Sequence, residues 1–109
     1  MRYMLMICDD ESGRRGADED SEGYAWFREM ERRGVLRGGE RLRPSGDATT
    51  VRMHGGEVLL SDGPFAESKE QMGGYHIIEC ADLDEAIEVA SKHPVAKYGT
   101  IEVRPIWEA

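Results

Sequence analysis

The sequence lacks long apolar runs and any excess of positive charge. Its apolar runs are too short for a segment that spans a bilayer. The first apolar stretch is short and is followed directly by acids, which does not fit a secretory signal. The net charge of -8, from 14 basic and 22 acidic residues, opposes binding to a phosphate backbone. We therefore expect a cytoplasmic protein with no membrane or nucleic-acid partner.

Metal and cofactor signatures are also missing. Cys8 and Cys80 lie far apart and have no C-x-x-C spacing, and the three histidines are scattered along the chain. The paired glycines fit neither the phosphate loop nor the dinucleotide-binding pattern. The sequence predicts no metal, no cofactor and two reduced thiols.

What is present is the pattern of one small α+β domain over residues 1–109. The predicted elements are a strand at 3–8, a loop at 9–23 overlapping a helix at 21–33, a hairpin at 49–60, a strand at 75–80, a helix from 82 and a strand at 101–104. This order resembles the ferredoxin-like split βαβ plan, with two helices on one face of an antiparallel sheet.

Both helices have recognisable sequence signals. In the first, Trp26, Phe27 and Met30 share one face at helical spacing. The second begins with a capping box, in which Asp82 is the N-cap and Glu85 follows three residues later. The residues predicted to form its inner face are Leu83, Ala86, Ile87 and Ala90. Each helix thus has one side that should pack on the sheet.

The central strands carry more apolar surface than two helices can cover. Residues 4–8 and 75–80 are apolar on both faces of the predicted sheet, whereas two helices cover one face. A second copy, packed sheet to sheet about a two-fold axis, would cover the other. The sequence therefore predicts a homodimer, with a pocket between sheet and helices or at the subunit seam.

The stretch "LLSDGPFAESKEQMGGYHII", residues 59–78, is the strongest candidate for a functional site. Asp62 ends a strand, and Pro64 fixes its own φ and favours extended backbone at Gly63. We expect a stiff turn in which Phe65 points inward as an anchor. Asp62 is the first candidate catalytic residue, acting as an acid–base group, although an Asp before Gly-Pro also commonly caps a turn.

The charged segment after this turn could bind a small polar ligand. Glu67, Lys69 and Glu70 are the candidate ligand-binding residues, because they place acceptors and a cation close together. His76 is a second candidate catalytic residue, if it faces the same cavity as Asp62. The alternatives are a solvated turn with internal ion pairs and a histidine that is simply packed in its strand.

Four blocks of the sequence resemble the YCII-related family, in its DGPF-domain branch. They are "MRYMLMI", "TTVRMHGGEVLLSDGPFAESKEQMGGYHIIE", "DLDEAIEVASKHP" and "GTIEVRPIWE". The resemblance covers nearly the whole chain, and the branch takes its name from residues 62–65. It implies a ferredoxin-like fold and a dimeric α/β barrel.

The same resemblance gives only a general indication of chemistry. The wider family is similar to small ring-chemistry enzymes such as muconolactone isomerases, and some members are dehydrochlorinases. Enzymatic relatives have a His–Asp pair whose histidine lies near the first helix, but this sequence has no histidine between Met1 and Met53. Many DGPF-domain proteins are encoded near extracytoplasmic-function sigma factors, which implies a signalling context.

Three functions are therefore compatible with the sequence. The first is a binding module for a small polar ligand near the Asp62 motif. The second is a lyase or isomerase that uses Asp62 as its acid–base residue. The third is a structural dimer in which the motif only shapes a loop. The sequence does not decide whether the protein is an enzyme.

Overall fold

Six strands and two α-helices make up the part of the chain that the computed structural model describes, residues 1–11 and 17–108, with residues 17–20 described by backbone only. Their bounds are β1 Arg2–Asp9, α1 Ala17–Arg32, β2 Leu36–Arg41, β3 Thr49–His54, β4 Glu57–Asp62, β5 Gln71–Glu79, α2 Leu83–Ser91 and β6 Thr100–Pro105. Short 3-10 turns lie at Ser45–Asp47 and Pro94–Lys97. Neither described helix is long and apolar enough to cross a membrane.

Four of the strands form one antiparallel sheet in the order β2-β5-β1-β6. The central strand β1 pairs with both neighbours, so that Leu5 lies opposite His76 on β5 and Val103 on β6. The helices connect strands that are not sheet neighbours, β1 to β2 and β5 to β6. This is the predicted α+β, ferredoxin-like arrangement, and the prediction is confirmed.

The core lies between one face of this sheet and the two helices. Period-two alternation buries Tyr3, Leu5 and Ile7 while the residues between them stay half-buried. From the helices, Met30 and Val89 are fully buried against this face. The buried Trp26 indole donates a hydrogen bond of 3.0 Å from Nε1 to the Val89 carbonyl, which joins α1 to α2.

The predicted helices form, with two corrections. The Glu85 amide donates to the Asp82 carboxylate at 2.9 Å, which confirms Asp82 as the N-cap. The reciprocal bond of the predicted capping box is shifted by one residue, since the Glu85 carboxylate accepts from the Ala81 amide at 3.0 Å. However, Leu83 and Ile87 are 49% and 50% exposed, so their predicted inward orientation is wrong. The buried residues of α2 are Ala86, Val89 and Ala90.

Helix α1 begins at Ala17, earlier than the predicted residue 21. The predicted loop at 9–23 is therefore wrong from residue 17 onward, while residues 12–16 lie outside the described residues. No proline occurs between residues 17 and 22, so the sequence permits the helix to begin before residue 21.

Strands β3 and β4 form the predicted hairpin, but it stands apart from the main sheet as a two-stranded sheet of its own. We call residues 49–62 the arm. Its turn places Gly55 at φ 58° and Gly56 at φ 79°, the positive values that a tight two-residue hairpin turn requires. Every residue of the arm except Thr50 is exposed.

The face of the main sheet opposite the helices, which we call the open face, has no described element packed on it. Met4 lies opposite Ile77 and Met6 opposite Tyr75 on this face, and all four side chains are half-buried. Cys8 follows on the same side of β1, and it and Cys80 are both free thiols. Burial raises the pKa of Cys80 to about 11, as expected for an unreactive core thiol.

We expect Leu5→Ala to lower the free energy of unfolding by about 2–5 kcal/mol, since it removes a fully buried side chain of the central strand. Leu83→Ala is the matched control and should change it by no more than about 0.5 kcal/mol. Urea unfolding followed by circular dichroism measures both. Equal losses in the two variants would contradict the position of the core described here.

Candidate functional site

The Asp62 motif lies at the base of the arm. Asp62 is exposed and lies opposite Thr49, the first residue of the arm. Two hydrogen bonds close this base: the Gly63 amide donates to the Ala48 carbonyl at 2.7 Å, and the Thr50 hydroxyl donates to the Gly63 carbonyl at 2.8 Å. Gly63 has a φ of 88°, so the expected extended backbone at this residue is wrong.

The segment after the motif faces outward. Phe65 is 80% exposed, so the prediction that it points inward is wrong in the single chain. Glu67 and Lys69 are exposed, whereas Glu70 is half-buried and accepts a hydrogen bond of 3.2 Å from the Thr100 hydroxyl. The turn thus joins the arm to β5 along the protein surface.

His76 occupies a different place, on the helix-facing side of β5. It lines a cavity of about 490 Å³ between the sheet, α1 and the 3-10 turn after α2. Phe27, Arg41, His93 and Tyr98 line the same cavity. The described lining of this cavity does not include the other predicted site residues, Asp62, Glu67, Lys69 and Glu70. Within one chain, the structure therefore separates His76 from the other predicted site residues.

Two histidines and Trp26 form a compact ring cluster behind this cavity. The Trp26 ring centroid lies 4.8 Å from each of the His76 and His93 ring centroids, and the two imidazole centroids are 6.0 Å apart. The Val95 amide donates to His93 Nδ1 at 3.1 Å. Neutral His93 therefore carries its proton on Nε2.

His76 is held from the other side by the backbone of β2. A Cβ atom at Gly39 would come within 2.7 Å of His76 Nδ1 and 2.8 Å of His76 Cα, and Gly39 has a φ of 143°. Nδ1 is buried and has no hydrogen-bond partner among the described residues. A buried polar atom of this kind is rare in folded proteins and often marks a functional position.

Burial determines the charge of His76. Loss of water around the ring lowers the pKa of His76 below its ordinary value of 6.5. The ring is therefore neutral at neutral pH, with one nitrogen that can accept and one that can donate a hydrogen bond. It suits recognition of a ligand hydroxyl or the acceptance of a proton.

A second cavity, of about 530 Å³, adjoins the first at the end of β2. Arg41 and Gly73 line both cavities, and Asp9 and Asp10 lie on the far wall of the second. The exposed Arg41 guanidinium has no ion pair with any other described residue. A positive charge thus lies where the two cavities meet, in a chain whose net charge is -8.

The sequence pattern that defines the YCII-related domain matches residues 1–109 of this chain. The chain belongs to the YCII-related family. An uncharacterized protein of Rhizobium meliloti (strain 1021) is 37% identical over 114 residues, which cover 97% of this chain and 92% of that protein. The family predicted from the sequence is therefore confirmed.

A solved structure shares the fold of this YCII-related domain. It is 5-chloro-2-hydroxyhydroquinone dehydrochlorinase from Burkholderia phenoliruptrix AC1100, in complex with 2,5-dihydroxybenzoquinone. The TM-score is 0.56 over 100% of this chain and 96% of that chain, with 15% sequence identity. At this identity the similarity concerns the fold alone.

Sequence reasoning missed three residues that shape the cavity of this YCII-related domain. His93 is buried and contacts Trp26. Arg41 lines the cavity, and Gly39 lies against His76. The available signal was the Gly-Gly pair within a strand, which often marks close approach of another group.

We expect Gly39→Ala to lower the free energy of unfolding by more than about 1 kcal/mol, because the new methyl group meets His76 and the backbone φ is unfavourable for alanine. Gly38→Ala is the matched control, since open space surrounds its Cβ position. Urea unfolding gives the free energies, and the histidine ring resonances in NMR spectra report the displacement of His76. An unshifted His76 resonance in Gly39→Ala would contradict the close contact.

The neutral His76 also predicts a pH dependence. Above about pH 6.5 the ring is neutral in both folded and unfolded chains and adds no pH dependence. Below it, the unfolded chain binds the proton first, so the free energy of unfolding should fall as the pH falls towards the folded-state pKa. The other titratable or charged groups around the cavity are His93, Tyr98, Glu40 and Arg41.

Urea unfolding between about pH 7.5 and about pH 5.5 measures this slope. His76→Gln should make it shallower, whereas His54→Gln, which removes an exposed histidine, should leave it as in the unaltered protein. A slope that is the same in His76→Gln and the unaltered protein would contradict the assignment to His76.

Proposed function

We propose that this YCII-related domain binds a small, flat, oxygen-bearing organic molecule in the cavity that His76 lines. The observation that carries the proposal is the buried Nδ1 of a neutral His76, without a partner among the described residues, beside a cavity of about 490 Å³. This volume lies within the usual range for small-molecule sites. The proposed ligand site is thus the cavity between the helices and the sheet, whereas the sequence had indicated the Asp62 motif.

The lining of the cavity favours an aromatic or quinone-like ring. Phe27 and Tyr98 offer flat apolar surface, His76 offers hydrogen bonding, and Arg41 offers a cation for a carboxylate or ring oxygen at the mouth. The dehydrochlorinase that shares this fold was solved with 2,5-dihydroxybenzoquinone, a ring of this shape and polarity. This agreement supports the proposed ligand class.

The second candidate function is a lyase or isomerase. A neutral histidine in a cavity can accept a proton from a ring hydroxyl or ring carbon, which is the step that dehydrochlorination and isomerisation share. His76 would take this role in the cavity, whereas Asp62, the acid–base residue that the sequence suggested, does not line that cavity within one chain. The absence of a histidine in the region of the first helix leaves binding without turnover as the first candidate.

A homodimer is part of the same proposal. The open face carries four half-buried apolar side chains with no described element over them, and a second copy packed face to face would complete a dimeric α/β barrel. Under this arrangement Asp62, Glu67, Lys69 and Glu70 remain candidate contacts at the subunit seam. A purely structural dimer, the third possibility from the sequence, would have the same assembly and no ligand.

Isothermal titration calorimetry with 2,5-dihydroxybenzoquinone tests the binding proposal. We expect saturable binding, weakened at least about tenfold by His76→Gln and by Arg41→Gln. Arg37→Gln is the control, because it removes an arginine of the same strand that does not line the cavity. Circular dichroism checks that each variant is folded.

The other outcomes separate the alternatives. Binding that survives His76→Gln and Arg41→Gln but is lost in Asp62→Asn would place the site at the motif. No heat of binding would leave the structural dimer. Chloride release from 5-chloro-2-hydroxyhydroquinone, lost in His76→Gln or in Asp62→Asn, would make the enzyme the better description and show which residue carries it.

A further inference from the structure

The arm has one apolar face that no described residue of the single chain covers. Val51 lies opposite Leu60 and Met53 opposite Val58, so that these four side chains share one face. Their exposed fractions run from 59% to 67%. On the other face Thr50, Arg52, His54, Glu57 and Ser61 are polar, and Leu59 is the exception. Such one-sidedness is typical of a sheet that packs on one face and meets water on the other.

An isolated hairpin of this kind is not expected to be stable by itself. Two strands without further packing are marginally stable in water, and among the described strands β3 and β4 pair with each other alone. Burial of the apolar face would supply the stability that strand pairing alone does not. Because the body of the same chain leaves this face exposed, the covering surface belongs to another molecule.

We propose that the arm docks, through Val51, Met53, Val58 and Leu60, on a second copy of this chain. The inference rests on the homodimer proposed above and adds a reciprocal exchange of arms. Two uncovered apolar surfaces, the arm face and the open face, occur on the same molecule. Two-fold symmetry lets each copy give one arm and receive another.

The area also favours this assembly. At strand spacings of about 4.8 Å and about 3.3 Å per residue, the four-stranded open face projects about 400 Å². A stable interface buries about 800 Å² on each partner, so the open face alone supplies about half of it. On the same spacings the apolar face of the arm has about 200 Å², so exchanged arms enlarge an interface that the open face alone leaves below the standard size.

Two neighbouring leucines of β4 give a matched test. Leu60 lies on the apolar face and Leu59 on the opposite face. By sedimentation equilibrium, we expect Leu60→Asp to raise the dimer dissociation constant at least about 100-fold and Leu59→Asp to change it less than about threefold. A third variant replaces residues 50–61 with Gly-Gly, which links Thr49 to its paired residue Asp62. This deletion should weaken the dimer as much as Leu60→Asp does. Circular dichroism should show that the rest of the chain is still folded.

A photo-reactive amino acid at position 60 tests contact directly. In a mixture of light and ¹⁵N-labelled chains, we expect mass spectrometry to show mixed-isotope cross-links from position 60. Cross-links within one chain only would overturn the proposal, since the arm would then fold on its own body. Attachment to an unrelated protein in place of a second copy would overturn it as well.

A variant on the open face distinguishes the arm contact from the sheet-to-sheet contact. Met6→Asp, on the open face, reports the sheet-to-sheet contact. A dimer that Met6→Asp breaks and Leu60→Asp does not would overturn the arm exchange while leaving the homodimer intact. A monomeric unaltered protein at micromolar concentration would overturn both, and neither result depends on whether the cavity binds a quinone.

Discussion

The hydrogen bond from the Trp26 indole to the Val89 carbonyl is the contact on which the helix layer depends. It joins α1 to α2 across the core, and it fixes the orientation of a ring that touches both His76 and His93. A buried indole N–H needs an acceptor, so its position is set by polar as well as apolar constraints. Trp26 therefore belongs to the core and also supports the two imidazoles that line the cavity.

Much of the fold could be predicted because its signals are local. Alternation along β1, the N-cap at Asp82 and the Gly55-Gly56 turn each follow from a few adjacent residues. The inward face of α2 was assigned wrongly, because Leu83 and Ile87 are more hydrophobic than Ala86 and Ala90. The small side chains are the buried ones, which lets the helix approach the sheet closely.

The candidate site was harder to predict because it depends on long-range contacts. His76, His93 and Trp26 come from three separate elements, and no spacing in the sequence brings them together. Gly39 is recognised as important only when β2 is seen to lie against His76. The Asp62 motif, in contrast, is conspicuous in the sequence but lies outside the cavity, at the base of the arm. A motif can mark a family through its backbone geometry as much as through its chemistry.

The arm has a further consequence for the order in which the chain folds. Its two strands are joined by a two-residue turn, so they can pair within microseconds. The main sheet needs β1 to pair with β5 and β6, whose residues are about 60 to 100 positions away along the chain, and such distant pairing is slow. We expect the apolar face of the arm to form before the surface that covers it, so that a newly made chain would depend on low concentration or on chaperones to avoid aggregation.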